Sequence, residues 1–185
     1  MVAMQTRPTN EPMNKTSLSL LIAALILVPA QAVFFNHLVL FNVAVPMAFI
    51  FIIITLPVTY SANLAMTIGF ALGVAVDTLS DTPGVNALAC TLLAFARRPL
   101  FHLYVPTDND LAEQRPSLRT MDTASFLKYA LTMCVVYCLM IFTIEAFQIF
   151  NFWIFLLRIV ASSIFTFIII YALACINGAS HEKRL

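Results

Sequence analysis

Few side chains in this sequence could do chemistry, and their spacing limits what that chemistry could be. Asp77 and Asp81 stand four residues apart, which places two carboxylates on one helix face. An intramembrane aspartyl protease would need two acids delivered at depth by different helices, and no second acid of that kind is present. Beside the breaker Thr82-Pro83-Gly84, both aspartates read more simply as helix-end charges. His37, His102 and His181 show no metal-ligand spacing. Cys134 and Cys138 share a helix face, but i, i+4 suits neither a good disulfide nor a zinc site without histidines. With Cys90 and Cys175 they read as small apolar packing residues. There is no glycine-rich phosphate loop, no HExxH and no GxSxG. The expectation is a protein that is not an enzyme and carries no cofactor or metal.

The elements that must position these residues are set by composition. Of 185 residues, 61% are hydrophobic and 10% charged, and the mean hydropathy is +0.92. Soluble domains carry about 25% charged residues, so this chain has too little polar surface to cover a water-soluble globule. An all-α integral membrane protein is the fold class this dictates. The net charge of +1 is spread without a basic face, which excludes a nucleic-acid partner and leaves the lipid bilayer as the surrounding partner.

Six spans are expected, at about 17–35, 43–58, 63–79, 85–104, 123–145 and 151–175, forming a transmembrane domain over 17–175 between tails 1–16 and 176–185. At about 1.5 Å per residue such segments can cross about 30 Å of hydrocarbon. Ala30-Gln31-Ala32 also resembles a signal-peptide cleavage site, but the apolar run continues through Val33-Phe34-Phe35. Pro46 and Pro57 fall near the ends of the second span, where a missing N–H costs least. Residues 105–122 form the one long polar connection, facing solvent or a cytoplasmic partner. Arg97-Arg98-Pro99 is expected to end the apolar part of the fourth span, with Leu100–Tyr104 at headgroup depth. The phenylalanines read as packing or lipid-facing surface.

Six crossings put both tails and the turns near 60 and 97–123 on one side, with Arg7, Lys15, Arg97, Arg98, Arg115, Arg119, Lys128, Lys183 and Arg184. The opposite turns, near 36–42, 77–84 and 146–151, hold no lysine or arginine. Both termini are therefore expected in the cytoplasm, with Asp77, Asp81 and Glu145 at the outer face. Arg158 then lies about 10 Å below that face by helical rise. An arginine there needs an acidic partner, Asp77 or Glu145, or must snorkel to the headgroups.

The stretch from Gly69 to Leu88 organises the rest. Gly69 and Gly73 have the small-xxx-small spacing that lets a second helix approach closely, either a partner's or one of this protein's own. Asp77 follows one turn later, Thr82-Pro83-Gly84 turns the chain, and Asn86 opens the next helix. With six short spans and an Ala/Leu-rich helix ending in Arg-Arg, this pattern resembles the rod shape-determining MreD family of bacteria. The matching residues are Gly69, Gly73, Asp77, Thr82, Pro83, Gly84, Ala87 and Leu88. Pro83 and Gly84 are adjacent where the family has an intervening residue, and the 105–122 loop is longer and more charged.

The resemblance implies a non-enzymatic scaffold of the cell-elongation machinery in the bacterial cytoplasmic membrane. Its implied partners are MreC, the elongation glycosyltransferase and transpeptidase, and the actin-like filament protein MreB. It also implies a six-helix bundle similar to the substrate-binding subunit of energy-coupling-factor transporters. The alternative function, a small-molecule transporter subunit of that type, comes from the same likeness. Under the scaffold reading, Gly69, Gly73, Asp77, Thr82, Pro83, Gly84 and Asn86 are the expected partner-binding residues.

Overall fold

The computed structural model describes residues 11–35, 44–105, 116–118, 121–145 and 152–182. They form α1 (Glu11–Ala30), α2 (Ile50–Ile54), α3 (Ala62–Ser80), α4 (Val85–Tyr104), α5 (Thr123–Glu145) and α6 (Phe152–Glu182), with no β-strand among the described residues. Helices α3, α5 and α6 are each long and apolar enough to cross a membrane, which makes this a helical membrane protein. The stretches 36–42, 146–151 and most of 105–122 expected as turns and loop lie outside the described residues, as does His37.

Helical periodicity sorts each long helix into an inner and a lipid-type face. On α5 the buried set Phe126, Tyr129, Ala130, Met133, Cys134, Tyr137, Cys138, Ile141 and Phe142 recurs at three- and four-residue steps. Leu131, Val135 and Leu139 on its other face are exposed. Such apolar exposure is what hydrocarbon solvent permits. Helices α3, α4, α5 and α6 pack in chain order, each mainly on its neighbour, and α3 against α4 is the most extensive contact.

Helix ends differ from the expected spans. The helix α1 begins at Glu11, within the stretch read as a tail, and runs through Pro29 into a π-helical turn, Gln31–Phe35. Proline removes one rung of the hydrogen-bond ladder, and π turns arise where that ladder is disturbed. The helix α6 continues past 175 to Glu182.

The second expected span is corrected more deeply. Of its described residues, 44–58, only Ile50–Ile54 is helical, about 7.5 Å of rise and far too short to cross as a helix. Nearly every residue from Ala44 to Val58 is nevertheless buried. This broken segment still travels along the bundle. Phe49 packs edge-on against Tyr137, which bonds Asn86 near one end of α4; Leu56 and Pro57 bond Arg97 further down α4. Asn86 and Arg97 are about 16 Å apart by helical rise. The physical reason for the break is local and tertiary together. Pro46 and Pro57 break the ladder on either side of Ile50–Ile54, and neighbouring side chains satisfy the backbone groups of 45–48 that a helix would otherwise satisfy itself.

Those neighbours form a clamp. The Gln31 amide donates to Pro46 O at 2.9 Å and accepts from Ala48 N at 2.9 Å. From α6, Ser162 Oγ accepts from Val45 N and Thr166 Oγ1 from Met47 N, both at 3.1 Å. Buried backbone groups outside a helix need other partners, and here three polar side chains supply them.

Candidate functional site

The corner between α3 and α4 is built on a strained turn. Asp81 ends α3 in the left-handed region (φ 52°), and its N–H bonds back to Asp77 O. Gly84 follows with φ 80°, which a residue without a Cβ adopts at no steric cost. Being glycine, Gly84 sits at the N-cap of α4 with no side chain to cap it. Asp77 supplies the missing cap from the preceding helix. Its Oδ1 accepts from Asn86 N at 3.1 Å and its Oδ2 from Ala87 N at 2.8 Å. These are the second and third N–H groups of α4, where the helix dipole favours a negative charge.

Two side chains complete the shell. Asn86 Nδ2 donates to Asp77 Oδ1 at 2.9 Å, and the Thr82 hydroxyl donates to the same oxygen. Asn86 Oδ1 in turn accepts from Tyr137 OH of α5 at 2.7 Å. One buried chain of hydrogen bonds therefore ties α3, α4 and α5. Four donors hold the Asp77 carboxylate, three on Oδ1 and one on Oδ2. Asp81 is exposed, and both aspartates line the open depression at the tip.

Gly69 and Gly73 serve the same corner. A Cβ on Gly73 would lie 2.4 Å from Ala87 Cα and 2.6 Å from Asn86 O; one on Gly69 would lie 2.8 Å from Cys90 O. The small residues let α3 and α4 touch backbone to backbone. This corrects the expectation that both glycines form a groove for a partner helix, because α4 of the same chain already fills it. Asp77 and Asn86, also expected to contact a partner, are buried and set the α3–α4 register instead. Of the expected partner-binding residues, Pro83 and Gly84 are exposed and Thr82 is half-buried. A shallow, open depression of about 560 Å³ lies at this tip, lined by Val74, Thr78, Asp81, Pro83 and their neighbours.

The expected ion pair resolves differently for its two candidates. Asp77 is committed to α4, which corrects its pairing with Arg158. Arg158 lies within electrostatic reach of Glu145, and its Nε is buried without a hydrogen-bond partner.

Sequence reasoning missed several residues that hold the core. Arg97, read as a membrane-edge charge, is 1% exposed, and α4 runs unbroken past it through Pro99. Its Nη1 donates to Leu56 O at 2.6 Å and its Nη2 to Pro57 O at 3.0 Å, fixing the lower end of the broken segment. Gln31, Ser162, Thr166 and Tyr137 were likewise passed over. Their signal was present: polar groups inside apolar spans, with Ser162 and Thr166 at i, i+4 on one face. Cys90, Cys134 and Cys138 are free thiols in the core, and Cys175 is exposed.

The chain matches no family model, no curated protein and no solved structure.

Proposed function

We propose that this chain is a non-enzymatic scaffold of the MreD kind. It would sit in the bacterial cytoplasmic membrane with both termini inside, bind MreC, and help organise lateral peptidoglycan synthesis. The elongation glycosyltransferase and transpeptidase, and the filament protein MreB, complete its proposed surroundings. The observation that carries the reading is the corner. Most of the residues behind the resemblance, Gly69, Gly73, Asp77, Thr82, Gly84 and Ala87, join with Asn86 in one device that holds α3 and α4 together as a hairpin. Its carboxylate is spent on capping α4 and holding Thr82 and Asn86, a structural role that suits recognition by shape. A six-pass path, with 44–58 as an unwound crossing through the centre, accords with the positive-inside count.

The test is a pull-down of the tagged protein from bacterial membranes in mild detergent, read by mass spectrometry. Val74→Trp, on the exposed face beside the tip, accompanies wild type. The scaffold reading requires a single-span wall-synthesis protein with wild type and less of it with Val74→Trp. Purification without such a partner refutes the reading, and a co-purifying ATPase module in its place favours the transporter subunit.

A further inference from the structure

We propose that the lower end of the bundle holds a small monovalent anion of chloride type between Arg97 Nε and Tyr129 Oη. Two independent observations converge there. First, Arg97 is a buried cation that bonds two neutral carbonyls, and no hydrogen bond or ion pair to an acid is present among the described residues. Two carbonyl dipoles do not cancel a full charge, and an uncompensated buried ion is expensive. Second, the Arg97 Nε and the Tyr129 hydroxyl are both buried and both lack a partner. Tyr129 is fully buried on α5, its ring edge-on at 5.7 Å to Phe101, which lies one turn beyond Arg97 on the same face of α4. Both donors thus lie beside Phe101, where α4 meets α5.

Donors without an acceptor, beside a charge without a counter-charge among the described residues, define the chemistry of what fits. A cation is repelled, and a water satisfies the hydrogen bonds but leaves the charge. A compact anion does both. It would accept from Nε–H and O–H while the Nη groups stay on Leu56 and Pro57. Because those carbonyls end the broken segment, anion occupancy would couple to the placement of 44–58.

The experiment measures thermal unfolding of the detergent-purified full chain at constant ionic strength, with chloride exchanged for gluconate. A ligand that binds only the folded state raises the midpoint, by about 3–6 °C at a tenfold excess over its Kd for a chain of this size. Wild type should show a saturable chloride-dependent rise. Tyr129→Phe keeps the ring against Phe101, and should fold while losing most of the response. Crystals grown in bromide should show an anomalous peak between Arg97 and Tyr129. Equal midpoints in chloride and gluconate overturn the proposal, as they would if an acid elsewhere in the chain supplied the counter-charge. An undiminished response in Tyr129→Phe, or bromide bound only elsewhere, overturns it too.

Discussion

Removing the Asp77 carboxylate tests the corner most directly. Asp77→Ala leaves Asn86 N–H and Ala87 N–H without their acceptor, and losing a cap of this kind costs about 1 kcal/mol. It deletes a charge placed against the N-terminus of α4, which in partly buried geometry contributes up to about 2 kcal/mol. It also frees Thr82 and the Asn86 amide, at about 0.6 kcal/mol per polar contact in a membrane protein. The sum is roughly 3–4 kcal/mol, a large share of the about 5–15 kcal/mol that holds a typical domain. Asp77→Asn should lose less, about 2 kcal/mol, since one amide oxygen still accepts from Asn86 while the new NH2 opposes Ala87 N–H. Reversible unfolding in mixed micelles, with midpoints converted to free energies, gives the comparison. A cycle with Asn86→Ala should return a coupling of about 0.5–3 kcal/mol, as for residues sharing one network. A loss below about 1 kcal/mol for Asp77→Ala, or a coupling near zero, would refute the capping argument, because cap and dipole contributions alone exceed that value.

Five further substitutions separate the physical causes. Gly73→Ala should destabilise by about 2 kcal/mol or more, since its Cβ meets the α4 backbone, whereas Gly84→Ala finds open space and loses only about 1 kcal/mol from its positive φ. Equal losses in a denaturation series would contradict that division. Tyr137→Phe removes one hydrogen bond to Asn86 and keeps the ring against Phe49, so a loss of about 0.6–1.5 kcal/mol is expected. Thr166→Val keeps shape but strands Met47 N–H, and Gln31→Leu strands two backbone groups at once. Hydrogen exchange at 44–49 should accelerate in both, more in Gln31→Leu, and unchanged protection would mean the clamp is not what holds the segment.

The corner was legible because its logic is local. Glycines four apart, an acid one turn later, a Thr-Pro-Gly break and an asparagine are all within eighteen residues, so turn chemistry and helix periodicity sufficed to locate them. Their destination was not legible. Small-xxx-small spacing says that a backbone comes close, and only the fold says that it is α4 rather than another protein's helix. The second span shows the opposite failure. Ile50-Phe51-Ile52-Ile53-Ile54 is apolar without period, so hydropathy reads it as a spanning helix. Only Ile50–Ile54 is helical, because the backbone of 45–48 just before it bonds Gln31, Ser162 and Thr166, up to 119 residues away in sequence.

By itself, then, the sequence determined the solvent, the helical class and the position of the turn, because these follow from composition, from hydrogen-bond satisfaction in lipid and from the conformational limits of proline and glycine. Only the tertiary structure decided which groups meet. Asp77 became a cap for α4 rather than a partner for Arg158. Arg97 turned inward to hold Leu56 and Pro57 rather than outward to headgroups. In both cases the sequence supplied a charged group with hydrogen bonds to make, and the packing of helices chose the groups that make them.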